Sequence, residues 1–177
     1  MITMTNKVQK LERHLFSYGG NVYAVLDGAA IPELLDQLYQ SQPEFECLYR
    51  GELDPDIAAV APYLVRLDAS TPFVGWLLQH GWEKYWGIFA ISEADIGTMR
   101  RHFRKFLTVH DHAGRPLLFR FYDPRVLSLY LLTCTNAESA VLFNAVKEYI
   151  VAGTNPNTAV HIGVTPIGVK LTESWYD

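Results

Sequence analysis

At 177 residues the chain has the length of one ordinary domain, and with 49% apolar against 19% charged residues it can bury a large core. That balance excludes a disordered chain, and the net charge of −4 excludes the basic footprint of a general nucleic-acid binder. No apolar run approaches the roughly 18 residues of a membrane span. The opening Met1 to Lys10 is polar, without the apolar heart of a signal peptide, so a cytoplasmic protein with no membrane contact is expected.

The pattern predicts a mixed α/β fold, mainly a three-layer sheet with flanking helices and a short C-terminal tail. Residues 1–20 form an N-terminal extension, frayed or briefly helical and ending in Gly19-Gly20. The main domain spans 21–153, and 154–177 are the tail. Val22 to Leu26 is rich in strand formers and ends at Asp27-Gly28. Ile31 to Tyr39 is a helix with Pro32 in its first turn, and Phe45 to Tyr49 is a second short strand. Strand, helix and strand in that order predict a parallel pair joined by a crossover.

Asp54-Pro55 opens a helical turn and Pro62 to Leu67 is a third strand. Thr71-Pro72 starts a helix over Phe73 to Gln79, with Gly81 past its end. Tyr85 to Ile91 is a fourth strand. Ser92 with Asp95 resembles a capping box, and Ile96, Met99, Phe103, Phe106 and Leu107 recur at helical spacing, which predicts a helix over Glu93 to Leu107. Arg100, Arg101, Arg104 and Lys105 fall on its outer side, either as a solvated face or as a surface for an acidic partner. From Arg100 to Arg125 seven Lys/Arg stand against two Asp, a local +5 that leaves −9 for the remainder. A dipolar molecule of this kind is suited to docking an acidic partner.

The densest stretch is Arg115 to Thr133. A hairpin turn at Asp111-His112-Ala113-Gly114 leads into Pro116 to Tyr122, an apolar run that predicts a central strand covered on both faces. Asp123-Pro124 then reads as an N-cap and first helical residue, and Val126 to Leu132 as a helix apolar all round and buried. Arg120 and Arg125 lie within this passage, where each needs an acceptor; each is either a structural ion pair or a group facing a groove. Thr135-Asn136 caps a helix predicted over Ala137 to Val151. After the break at Gly153 to Asn157, alternation over Val160 to Leu171 predicts edge strands or a wrapping tail.

Catalytic and cofactor motifs are missing from the sequence. His110-Asp111-His112 lacks a third ligand, no glycine-rich phosphate loop follows a strand, and no serine occupies a nucleophile elbow, so neither metal nor cofactor is expected. Cys47 and Cys134 read as two reduced core thiols. Asp27 and Asp123 end strands, where α/β active sites lie, but each also fits a turn or cap. Trp76, Trp82, Tyr85 and Trp86 crowd around Gly81 as core packing or as an aromatic contact surface.

Several segments, in order and spacing, resemble a known family. They are Tyr23 to Gly28 (YAVLDG), Leu48 to Gly51 (LYRG), Ala61 to Val65 (APYLV), Trp86 to Phe89 (WGIF) and above all Gly114 to Leu127 (GRPLLFRFYDPRVL). This is the pattern of the type VI secretion effector chaperones, or adaptors, catalogued as domain of unknown function 4123, and it covers Asn21 to Val151. The resemblance implies a non-enzymatic bacterial protein that binds a cognate toxic effector and helps load it onto the VgrG spike. Many relatives continue into a longer C-terminal lobe, whereas about two dozen residues follow Gly153 here. On this reading Arg101, Arg104, Arg120, Tyr122, Arg125 and Trp86 are candidates for partner contact, with Asp123 and Pro124 as a structural cap. Two other readings stand beside it: a small hydrolase or transferase using Asp27 or Asp123 with a histidine, and a structural subunit of a larger assembly.

Overall fold

The computed structural model describes residues 6–176; expectations for Met1 to Thr5 lie outside the described residues. In chain order the elements are α1 (Asn6–Phe16), β1 (Asn21–Asp27), α2 (Leu34–Ser41), β2 (Phe45–Cys47), α3 (Pro55–Val60), β3 (Pro62–Leu67), α4 (Pro72–Gly81), β4 (Gly87–Ser92), α5 (Ile96–Arg104), β5 (Thr108–His110), β6 (Pro116–Leu118), α6 (Pro124–Thr133), α7 (Asn136–Leu142), β7 (Glu148–Ala152), β8 (Thr158–Thr165) and β9 (Gly168–Trp175). Seven strands form one sheet in the order β2-β3-β1-β4-β7-β8-β9, and β5 with β6 forms a separate hairpin.

Successive side chains of a strand point to opposite faces, and in this sheet both faces are covered. Val22, Ala24 and Leu26 of β1 join Phe89 and Ile91 of β4 in a core closed by α1, α2 and α4. Tyr23 and Val25, with Ile88 and Ala90, enter a second core beneath α5, α6 and α7. The protein is therefore a three-layer α/β molecule, and coverage on both faces explains why its central strands read as unbroken apolar runs.

The predicted parallel pair is corrected in one respect. Strands β1 and β2 do run the same way, but they are not neighbours. β3 lies between them, antiparallel to both. The crossover through α2 thus skips one position, which β3 fills when the chain returns. Every neighbouring pair in the sheet is antiparallel.

Four further expectations are overturned. The strand predicted over Pro116 to Tyr122 shrinks to β6, whose three residues are exposed, while Phe121 and Tyr122 turn inward as irregular chain and are buried. An apolar run shows burial but not the element that achieves it. The helix after Asp123 is not buried all round: Leu127 and Leu131 face the core, whereas Leu129 and Leu132 are each 66% exposed. The helix predicted over Ala137 to Val151 is α7 followed by strand β7, because Tyr149-Ile150-Val151 is a β-favouring run that pairs with β4 and β8. Finally, α5 begins at Ile96, capped by Asp95, whose carboxylate accepts from the Thr98 N–H at 2.7 Å; Ser92 instead makes a local turn with the Ala94 N–H.

The segment after Gly153 extends the sheet as β8 and the edge strand β9. Gly81 permits a close approach, since a Cβ there would collide with the Trp86 ring. That contact seats Trp86, and with it Trp76, 5.3 Å away between ring centres, in the first core.

Candidate partner-binding surface

The C-terminal end of β1 and the N-terminus of α6 bring together most of the charged residues singled out in the sequence. Asp27 is 2% exposed and caps a short 3-10 turn by accepting from the Ala29 N–H at 3.0 Å. Its second oxygen takes a short hydrogen bond from the Arg120 guanidinium. Asp123 caps α6 through the Arg125 N–H at 2.9 Å and holds the same residue's guanidinium in a fork, at 3.0 Å to Nε and 2.6 Å to the terminal nitrogen. Burial pushes the Asp123 carboxyl up, but the Arg125 hydrogen bonds outweigh it and hold the group below the usual carboxylate range. Both capping roles follow from an acid ahead of a turn or of a helix opened by proline.

Each arginine is therefore a paired cation that still meets solvent: the side chains are 49% exposed at Arg120 and 65% at Arg125. The Arg120 guanidinium stands 6.0 Å from the Tyr122 ring and that of Arg125 4.9 Å from the Tyr85 ring. Tyr85 holds a left-handed backbone, φ 57°, which for a non-glycine residue costs on the order of 1 kcal/mol. Tyr122 itself is buried; burial first, then Tyr49 and Asp27, pushes its phenol up to about 12. Arg120 and Arg125 thus keep flat guanidinium groups at the surface, one beside Tyr122 and the other over Tyr85.

The remaining residues are dispersed. Arg101 is exposed and bonds locally, to the Thr98 hydroxyl at 2.8 Å. Arg104 donates to the carbonyls of Leu48, Cys47 and Tyr49 at 3.1, 3.0 and 2.9 Å, so it holds the end of β2. Arg100 pairs with Glu46 at 2.8 Å. Arg115 and Arg125 pair with the two Asp of the same stretch, and Arg100 and Arg120 with Glu46 and Asp27 outside it, so the local surplus of +5 falls to +3. Trp86, 6% exposed, is a core residue.

An apolar groove escaped the sequence reading. Lys105, Phe106, Val109, Phe119, Tyr130, Glu138, Val141 and Leu142 line an open depression of about 260 Å³ between the β5–β6 hairpin and helices α5, α6 and α7. Leu117 sits opposite Val109 in the hairpin register and is 50% exposed, and Val141 on the far wall is 52% exposed. Assigning Pro116 to Tyr122 to a central strand hid this surface. The signal available was Val109 and Leu117, symmetric about the Asp111 to Gly114 turn. Among the described residues no three of His, Cys, Asp and Glu converge as a metal cluster, and no helix is long and apolar enough to cross a membrane.

Fold and surface together define a three-layer α/β protein with neutralised arginine pairs at one sheet end and an open apolar groove beside a projecting hairpin. The chain belongs to the family described as domain of unknown function DUF4123, whose model matches residues 22–140. No curated protein and no solved structure was found to match it.

Proposed function

We propose that this protein is a type VI secretion adaptor that grips its cognate toxic effector and helps load it onto the VgrG spike. The observation that carries the reading is the groove between hairpin and helices. Val109 and Val141 are exposed there and Phe106, Phe119 and Tyr130 partly so, which gathers apolar side chains from the hairpin and the helices around it on one open, concave surface. Exposed apolar surface of this kind marks a site of protein contact. Lys105 and Glu138 on the lining supply one cation and one anion to orient an apolar segment of the effector. Family membership and the Gly114 to Leu127 motif, which forms the hairpin turn, the groove residue Phe119 and the α6 cap, support the same assignment.

The hydrolase reading draws no support from the placement of its two carboxylates. Asp27 and Asp123 are engaged by arginines and by backbone N–H groups at turns. Co-expression with a candidate cognate toxin, followed by size-exclusion chromatography, tests the adaptor reading. A single co-eluting peak is expected. Two separate peaks at micromolar concentration, with normal toxin secretion in a strain lacking this protein, would overturn it.

A further inference from the structure

The seven-stranded sheet ends in two unlike edges, β2 and β9. β2 is three residues long. Leu48 turns its N–H to Pro62 of β3, so by alternation Cys47 faces outward, where Arg104 takes its carbonyl at 3.0 Å. β9 is eight residues long, pairs with β8 without a break from Trp175 to Gly168, and has no buried residue. It carries neither a proline nor a bulge, two devices that blunt an edge. Among the described residues no strand pairs with its outer side.

Two backbone bonds show which groups of β9 face outward. The Tyr176 N–H donates to the Asn157 carbonyl at 3.3 Å, and the Gly153 N–H to the Thr158 carbonyl at 2.9 Å, which turns Thr158 toward β7 and its neighbours toward β9. Opposed residues of antiparallel strands alternate between bonded and non-bonded pairs. Gly168, Lys170, Thr172 and Ser174 therefore turn their backbone groups to β8, and Val169, Leu171, Glu173 and Trp175 turn theirs to the open edge. Such an edge is a template for one more strand.

We propose that β9 pairs antiparallel with β9 of a second copy, about a two-fold axis through Thr172, so that two sheets join into one. An axis perpendicular to the sheet keeps each face on its own side, and the same patch meets itself. Odd-numbered residues then oppose odd-numbered ones. With Thr172 on the axis, Val169 opposes Trp175 and Leu171 opposes Glu173, and every outward N–H and C=O of these four finds a partner. Moving the register either way leaves Val169 beyond the other strand or Trp175 against its hairpin turn. The aromatic–β-branched pair of Trp175 with Val169 and the meeting of Thr172 with Thr172 are favourable cross-strand combinations. Trp175, 59% exposed, thereby gains a neighbour. Lys170 comes opposite Ser174, so no like charges are directly opposed. The Glu173 carboxylate is drawn back over β8 by the hydroxyls of Thr158 and Thr154, away from its symmetry mate. This complementarity of the strand with itself names the occupant as a second copy. Each assembly would carry two apolar grooves.

Analytical ultracentrifugation of the tag-free full chain tests the pairing without any effector. A species of twice 20.1 kDa is expected at micromolar concentration. Thr172→Lys and Thr172→Glu each set like charges face to face on the axis and should sediment as monomers. Mixed in equal amounts they should form a dimer again, because lysine then opposes glutamate. Amide hydrogen exchange of the parent needs no variant: the Val169, Leu171, Glu173 and Trp175 N–H groups should exchange at least about tenfold more slowly at high than at low protein concentration. A parent that stays monomeric, outward amides that exchange equally fast at both concentrations, or folded Thr172 variants that each dimerise as the parent does would overturn the proposal. A dimer lost in Val141→Glu but kept in both Thr172 variants would place the contact in the groove and overturn it as well.

Discussion

The guanidinium of Arg120 closes on the carboxylate of Asp27 across 93 positions of sequence, fastening the segment after the hairpin to the end of β1. The Asp27 side chain is 3% exposed and that of Arg120 49%, so the anion is buried and the cation seals it. Removing one partner of a buried pair costs about 3–5 kcal/mol, and the half-exposed arginine reduces this to about 1–3 kcal/mol for Arg120→Ala. Urea unfolding should show that loss, and the double variant Asp27→Asn/Arg120→Ala should recover part of it. An unchanged midpoint in the single variant would mean that the pair does not hold the loop.

Arg101 and Arg104 lie one helical turn apart and should behave differently. Arg104→Gln forfeits a guanidinium bound to three carbonyls at the end of β2. A loss of about 2 kcal/mol is expected, since charged hydrogen bonds contribute about 1.5–3 kcal/mol each and solvent screens part of this site. Arg101→Gln should stay within about 0.5 kcal/mol of the parent, as for other exposed changes. Equal midpoints for the two variants would return Arg104 to the solvent face.

Asp123→Ala removes both the cap of α6 and the fork on Arg125. The cap contributes about 0.5–2 kcal/mol, and the exposed arginine adds little beyond it. Asp123→Asn should keep most of the cap, because asparagine accepts the same N–H. If Asn and Ala variants melt alike, the ion pair rather than the cap carries the effect.

The layers and the caps were legible in the sequence because they rest on local grammar. Acids before Gly28 and Pro124 announced turns, and apolar residues at helical spacing announced α5. Strand neighbours were less legible. Nothing in Phe45 to Cys47 says that β3, not β1, is its partner, because pairing is settled by the later return of the chain. The candidate surface was legible in part. Arg120 and Arg125 were found through the unusual setting of cations in an apolar passage, but Trp86 and Tyr122 are buried. Aromatic type alone does not distinguish a core ring from a contact ring, and residues 116–122 had to leave the sheet before the groove existed.

His102 gives the fold a pH dependence. It is 4% exposed and donates its Nε2–H to the Leu142 carbonyl at 3.0 Å. Burial lowers its pKa to about 4, against the small opposing effect of that hydrogen bond. The unfolded chain takes up this proton below about pH 6.5 while the folded protein resists until about pH 4, so stability falls as pH drops through that window. The contribution is on the order of 2 kcal/mol with solvent screening allowed for. His102→Gln, which keeps an N–H donor, should flatten the profile of unfolding free energy between those limits. A slope unchanged by the substitution would assign it to other groups, His14 among them, whose pKa burial and His161 also lower.

The sharpest separation of the proposed effector surface from the arginine pairs comes from its own walls. Val109 and Val141 are exposed on opposite sides of the groove, so Val109→Glu and Val141→Glu should leave folding within about 0.5 kcal/mol of the parent. Each sets a carboxylate where an apolar effector segment would lie. Desolvating that charge without a partner costs several kcal/mol, so each variant should weaken effector binding at least tenfold, chiefly through faster dissociation. Arg125→Ala serves as the comparison, because it changes a neutralised, exposed cation over Tyr85 outside the groove. If both glutamate variants bind the effector as tightly as the parent and Arg125→Ala does not, the contact surface is the arginine end of the sheet, and the groove is not where the effector is held.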